Sequence, residues 1–145
     1  MEKIHAYGIC LYKQEQNTIK ILLCKSVKSE DRWGCLKGVA LKNELAEETA
    51  LREFEEECSI VVHHQELEKF FIQKNELKNI GLFTVNANKI SYLSKYFEGE
   101  VLYSKHLSSE NSAVQFFDIN NLPLIKKKQQ IVIEEIIDFL KTHKK

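Results

Sequence analysis

Residues 44–57 hold seven glutamates against one arginine, and the same stretch carries Ala50, Leu51 and Phe54, continued by Cys58, at the three- and four-residue spacing of one helix face. Such a segment is constrained to lie as a helix with its apolar side on a sheet and its acids turned away. At about 100° per residue, Glu53, Glu56 and Glu57 fall within an arc of about 100°, with side chains three and four apart about 5–6 Å between Cβ atoms. Each like-charged pair costs an isolated helix a few tenths of a kcal/mol, roughly. These acids also stand in the last two turns, where the macrodipole disfavours negative charge by about 0.3–1 kcal/mol each. A cation is expected to offset both. Hard carboxylate oxygens suit Mg²⁺, with Mn²⁺ as a substitute, an ion that keeps several waters and completes its shell with substrate phosphates.

The full spacing resembles the Nudix box: Gly, five residues, Glu, seven residues, then Arg-Glu-apolar-x-Glu-Glu-x-Gly-apolar. Gly38, Glu44, Arg52, Glu53, Phe54, Glu56, Glu57 and Ile60 match it, and Ser59 stands where the family has its last glycine. Trp33, in the lead-in Trp33-Gly-Cys-Leu-Lys37-Gly38, is similar to the Trp-x-x-Pro-Lys-Gly approach of several Nudix subfamilies, with Cys35 and Leu36 in place of two prolines often seen there. The resemblance implies an α/β fold, a Nudix-type α/β/α sandwich with a mixed β-sheet between helices. It implies that Glu53, Glu56 and Glu57 bind the metal and that Arg52 orients a carboxylate such as Glu56. It also implies that the general base is a box glutamate, Glu53, or a glutamate of a later loop. Glu98, Glu100 and Glu110 are the later candidates, with Glu110 preferred because it precedes a strand in a segment similar to the Ser-x-Glu stretch of asymmetrical diadenosine tetraphosphate hydrolases. Glu53, Arg52 and Glu110 are thus the catalytic candidates. Lys37 is placed to meet a phosphate, and Gly38 to allow a tight turn and close backbone approach.

A glycine just past a helix end normally supplies a left-handed cap. Ser59 is therefore expected to be strained or to end the helix differently, without touching the carboxylates.

The remaining sequence fits one domain spanning residues 1–145: 43% apolar residues, one proline, no repeat and no linker. Zero formal net charge gives no reason to expect tracking along nucleic acid, although Lys25, Lys28, Arg32, Lys37 and Lys126 to Lys128 flank the acidic box. Cys10, Cys24, Cys35 and Cys58 lack zinc spacing and read as reduced, buried thiols. The start lacks an apolar signal core, and no segment approaches 18 apolar residues, so a soluble, cytoplasmic protein with no membrane partner is expected.

Strands are expected at 6–12, 18–24, 60–63, 67–74, 80–86 and 113–117, and a helix from residue 122 onward with Ile133, Ile136, Ile137 and Leu140 at core spacing. Asn43 is the expected N-cap of the box helix. Residues 88–111 form a long polar connection, the place to look for specificity. Phe71, Tyr92, Tyr96 and Tyr103 are aromatic side chains with the means to stack on a base.

The function this implies is Mg²⁺-dependent cleavage of a diphosphate linkage in a nucleoside diphosphate joined to another group. The substrate is expected to be a nucleotide, a dinucleoside polyphosphate or a 5′-triphosphate RNA end, and the protein a monomer or homodimer. The alternative is a catalytically silent Nudix fold that senses a nucleotide or binds a protein.

Overall fold

Strand β1 (Ile4–Glu15) is the spine of the sheet because it pairs along both edges. The computed structural model describes residues 2–28 and 31–142. Along one edge β1 runs parallel to β5 (Lys78–Asn86) from Ile4 to Tyr12. The other edge is shared: its first half pairs antiparallel with β3 (Leu36–Val39) at Ala6 to Ile9, its second half with β2 (Thr18–Ser26) at Tyr12 to Glu15. β4 (Phe70–Lys74) forms a hairpin with β5, and β8 (Asn111–Asp118) continues the sheet beyond β2. Two-residue strands β6 (Phe97–Glu98) and β7 (Val101–Leu102) extend it further, giving the order β4-β5-β1-β2-β8-β7-β6 with β3 off the path on β1. One parallel pair among antiparallel neighbours makes the sheet mixed, as expected.

Period-2 alternation divides the buried side chains between two faces. Ile9, Leu11, Leu22, Phe83 and Val85 pack on one side with Ala50, Phe54 and Cys58 of α1 (Ala46–Cys58). Cys10, Ile21, Leu23, Ile80 and Leu82 pack on the other with Val132, Ile133, Ile136, Ile137 and Leu140 of α2 (Gln130–Thr142). A helix on each face completes an α/β/α sandwich. Phe54 is fully buried at the centre of the α1 interface, where truncating a phenylalanine to alanine typically costs about 3–5 kcal/mol. Cys10, Cys24, Cys35 and Cys58 are free and buried. Among the described residues no helix is long and apolar enough to cross a membrane.

Several boundaries differ from expectation for identifiable reasons. Residues 60–63 form no strand: Ile60 and Val62 enter the core while Val61 and His63 face out, so the alternation is real but no ladder partner runs alongside. The last helix begins at Gln130 after a single 3-10 turn, Lys127–Gln129, because residues 122–126 are drawn out extended along Trp33. There the Trp33 N–H donates to the Leu124 carbonyl at 2.8 Å and the Lys126 N–H to the Trp33 carbonyl at 2.9 Å. Strand β3 lies in what reads as loop, since its Lys37 and Gly38 carry no strand signal. Residues 88–111, read as one polar connection, contain three 3-10 turns besides β6 and β7.

Asn43 is not the N-cap. It takes a left-handed φ of +66° two residues earlier, and Leu45 caps α1 instead. A leucine side chain accepts no hydrogen bond, so the cap is half a capping box, with the Glu48 carboxylate accepting from the Leu45 N–H at 2.9 Å. At the other end Ser59 has φ +71° and ψ −4°, and its N–H donates to the Glu55 carbonyl at 2.8 Å. This is the glycine-type cap made by a residue with a Cβ, a strain of about 1 kcal/mol. Ser59→Gly is expected to raise the melting temperature by about 3 °C, read by calorimetry; a fall of several degrees would mean that the long 3.5 Å contact from Ser59 Oγ to the His106 carbonyl matters more than the strain.

Candidate active site

Arg52 organises the acidic helix. Its Nε and Nη2 donate to the two carboxylate oxygens of Glu44 at 2.8 and 3.0 Å, a bidentate clamp. Its Nη1 donates to Glu53 at 3.0 Å and to Glu56, one turn on, at 3.1 Å. The expected contact with Glu56 is present, but Glu44 is the principal partner. Glu44 also accepts from the Leu41 N–H at 2.9 Å and the Thr49 hydroxyl at 2.7 Å, so it ties the loop after β3 to the first turn of α1. The Arg52 hydrogen bonds, with those of Leu41 and Thr49, hold the Glu44 carboxyl down at about 2. Arg52 is raised above its ordinary value by the same partner.

Glu57 points a different way. It is only 7% exposed, so the acidic face is not all open to solvent as expected. The Asn111 side-chain amide donates to it at 3.2 Å, and burial pushes its carboxyl up to about 7, with Glu53 and Glu110 adding repulsion and Lys37 opposing it. The loop that brings Asn111 and Glu110 is fastened to α1 by the Ser108 N–H on the Glu57 carbonyl, 3.4 Å, and to the end of β2 by the Val27 N–H on the Glu110 carbonyl, 2.9 Å.

Together these elements enclose a cleft of about 390 Å³ lined by Lys37, Gly38, Glu53, Glu56, Glu57 and Glu110, with Val39, Lys78, Ser108 and Ser109. Gly38 lies within β3 and makes no tight turn. What it allows is close approach, because a Cβ there would stand 1.9 Å from the Glu53 carboxyl carbon. Glu98 and Glu100 are not in the cleft: Glu100 pairs with Lys13 at 2.6 Å and with Lys20, stapling the β6–β7 turn to the β1–β2 hairpin. None of Phe71, Tyr92, Tyr96 and Tyr103 lines it either. Phe71 packs on Phe139 under α2, and Tyr96 on His106.

Two neighbours of the cleft are absent from the sequence reading. Lys78, at the start of β5, reaches the cleft through the parallel pairing of β1 and β5, a contact 40 residues from Gly38 that no local pattern signals. Asn111 is selected by its contact with Glu57. Lys37 and Lys78 also line a second pocket of about 400 Å³, with Arg32, Ile80, Lys126, Lys127, Lys128 and Gln129. The acidic cleft thus opens directly onto a basic one.

The NUDIX domain family model matches residues 3–138, nearly the whole chain. The chain belongs to the NUDIX domain family. Solved structures share the NUDIX fold at low identity. A C. elegans Ap4A hydrolase, solved as a binary complex, superposes with a TM-score of 0.66 at 17% identity over 96% of this chain and 98% of that one. An ADP-ribose pyrophosphatase from Streptococcus suis gives 0.63 at 14% over 99% and 94%. The NUDIX domain of Shewanella oneidensis NrtR, complexed with ADP ribose, gives 0.64 at 14% over 96% and 90%. No curated protein matches this chain.

The donor set of this NUDIX cleft suits a hard divalent cation in kind: Glu53, Glu56, Glu57 and Glu110 line it, and the buried acid Glu57 carries a raised affinity for a proton that a cation can replace. Among the described residues, however, no three acidic, histidine or cysteine side chains are gathered closely enough to hold an ion as they stand. Arg52 pairs with both Glu53 and Glu56.

The raised Glu57 carboxyl fixes a pH dependence for protein stripped of divalent cations. The unfolded chain releases this proton near 4.5 and the folded chain near 7, so between those values the folded state binds more protons and stability falls as pH rises. The loss by pH 8 is at most about 3 kcal/mol. Glu44, depressed to about 2, acts only below this window, where its contribution is lost as pH falls. Urea denaturation in chelator at pH 5 and pH 8 measures the fall, and Glu57→Gln is expected to flatten it; an unchanged slope in that variant would assign it elsewhere.

Proposed function

We propose that this chain is a Mg²⁺-dependent hydrolase that breaks a diphosphate linkage in a nucleoside diphosphate joined to a further group. Dinucleoside polyphosphates, 5′-triphosphate RNA ends and nucleoside triphosphates are the substrate classes. The observation that carries this reading is the continuity of the carboxylate cleft with a lysine pocket through Lys37 and Lys78. Acids suited to a cation on one side and fixed positive charge on the other are what a diphosphate requires on its two flanks. The names of the structural neighbours, an Ap4A hydrolase and an ADP-ribose pyrophosphatase, accord with it.

Glu53, Glu56 and Glu57 would hold the ion, and bound Mg²⁺ supplies phosphate charge neutralisation and a water of lowered pKa. The protein's own groups divide the remaining work. Arg52, anchored on Glu44, sets the rotamers of Glu53 and Glu56 and keeps two acids from repelling one another when the cation is away. Lys37 and Lys78 bind phosphoryl oxygens and align the linkage over the carboxylates. Glu110, across the cleft from α1, is the preferred acceptor for the proton of the attacking water, with Glu53 the box alternative. The four free, buried thiols accord with a cytoplasmic setting.

A nucleotide-binding module without turnover is the second reading, and the hold of Arg52 on Glu53 and Glu56 is the observation that favours it. The two part company in one experiment. Purified protein with Mg²⁺, offered a broad nucleotide panel, is expected to release phosphate or mononucleotide products from at least one member. Glu57→Gln should abolish that turnover with the fold retained by circular dichroism, because it removes a carboxylate proposed to hold the ion. Saturable nucleotide binding with no product from any member establishes the module; full activity in Glu57→Gln sinks the carboxylate assignment. Glu110→Gln is expected to lower kcat by about 10²-fold with KM little changed, the signature of a lost proton acceptor.

A further inference from the structure

We propose that the cavity at the far end of β1 is a second ligand site, built for a purine base carried on a nucleoside. It shares no lining residue with the carboxylate cleft, so it stands whether or not the cleft turns a substrate over.

The cavity holds about 870 Å³, against about 390 Å³ for the cleft. It sits on the α2 side of the sheet, where the parallel pairing of β1 and β5 ends at Tyr12 and Asn86. The cleft lies against α1, near the start of β5. Gln14 at the cavity is seven residues beyond Tyr7, which pairs with Gly38 of the cleft, so the two sites stand about 23 Å apart along the strand at roughly 3.3 Å per residue. The carboxyl ends of parallel strands are where open α/β sheets commonly place ligands, because the chain turns away there and leaves a crevice.

Its floor is apolar, with Ile19 and Leu140 buried and Phe139 partly so. Its rim is polar and held by backbone contacts. Asn88 Oδ1 accepts from the Gln14 N–H at 3.0 Å, and Asn86 Oδ1 accepts from the Asn88 N–H at 2.9 Å. Those bonds fix which end of each carboxamide is oxygen and leave the amide nitrogens as the donors the two side chains have to offer. Glu68, a carboxylate on the rim, is already engaged: Oε1 accepts from the Tyr12 hydroxyl at 2.7 Å, and Oε2 lies 3.8 Å from the Lys89 ammonium. Burial and that carboxylate hold the Tyr12 phenol above its ordinary value, so it stays a donor. Gln16 adopts a left-handed φ of +55° in the hairpin turn between β1 and β2, a conformation that glycine normally supplies. The cavity thereby gains a carboxamide where glycine would give no side chain.

The balance of donors and acceptors then selects the ligand. The rim offers amide and ammonium donors, with Lys69 and Lys89 beside the asparagines, while the oxygens of Glu68 are taken. A purine presents acceptors along its edges and apolar faces above and below, which suits donors arranged around an apolar floor. Gln14 and Gln16 add carboxamides, each a donor and an acceptor side by side, the pairing that reads adenine at N6 and N7. A bare sugar would need acceptors for several hydroxyl protons that Glu68 no longer supplies. The Phe139 ring on which a sugar would stack already carries the Lys69 ammonium, 5.6 Å from its centroid. A simple anion would gain nothing from the floor.

Amide NMR of the whole, nitrogen-labelled protein, titrated in chelator with adenosine and separately with ribose, tests the site without turnover. Adenosine is expected to give saturable shifts at the amides of Gln14 and Asn88 below about 1 mM, with those of Gly38 and Glu53 unmoved, and ribose to give none. The double substitution Asn86→Asp, Asn88→Asp keeps both oxygens for the backbone and removes both amide donors. It should weaken adenosine by at least about tenfold. Should that variant unfold, Gln14→Glu on the rim carries the same test, with a loss of at least about threefold. Glu57→Gln, by contrast, is expected to bind adenosine as tightly as the unaltered chain. Shifts confined to Gly38 and Glu53, equal shifts with ribose, affinity indifferent to the rim substitutions, or no binding at all would each overturn the proposal. Adenosine binding at the rim without hydrolysis of any nucleotide keeps this site and discards the hydrolase; hydrolysis without shifts at the rim does the reverse.

Discussion

The bidentate pairing of Arg52 with Glu44 is the interaction on which the arrangement around the cleft depends. It joins the loop leaving β3 to the helix that follows it, so the short strand beside β1 and the acidic helix above are held in one geometry. Hydrogen bonds to charged groups contribute about 1.5–3 kcal/mol each, and this clamp is backed by Thr49 and the Leu41 N–H on the same carboxylate. The position of Gly38 follows from it. With β3 and α1 fixed, the Glu53 carboxylate lies where any side chain at residue 38 would be, which gives the first glycine of the box a steric reason that no turn supplies.

The same clamp explains how an acid-rich helix end is tolerated. Arg52 gathers the negative charge of Glu44, Glu53 and Glu56 around one guanidinium. Glu57 is left out of that balance and is handled by burial under Asn111. The helix end thus carries two kinds of acid, one paired and one pushed toward its neutral form. A cation entering the cleft competes with an arginine for the first kind and with a proton for the second. Those are different thermodynamic couplings, the first sensitive to ionic strength and the second to pH.

What was legible from the chain alone was what local periodicity and motif spacing encode. The helical stripe of Ala50, Phe54 and Cys58 gave the side of α1 that packs on the sheet, and the long strands β1, β2, β5 and β8 fall where strands were expected. Boundaries failed where tertiary contacts overrode propensity: Ile60 and Val62 alternate without a partner strand, and Pro123 to Lys126 run extended because Trp33 pairs with them. Asn43 is a favourable cap by type, yet Glu44 must turn back on Leu41, which shifts the helix start to Ala46. Within the cleft, residues of the box and its loop were nameable by number. Lys78 was not, because its place depends on a parallel strand pairing that brings β5 beside β1, and that is a property of topology and not of any window of sequence.

Sharing is what links the two pockets. Lys37 and Lys78 line both, so an anion that spans them neutralises the repulsion felt by Lys78 and Lys126 and at the same time brings negative charge toward Glu53 and Glu57. The first effect favours binding and the second opposes it unless a cation occupies the carboxylate side. A diphosphate-bearing substrate and a divalent ion are therefore expected to bind with positive coupling, each removing the electrostatic cost that the other incurs. Because that coupling is reciprocal, the charge layout alone discriminates against either partner arriving without the other.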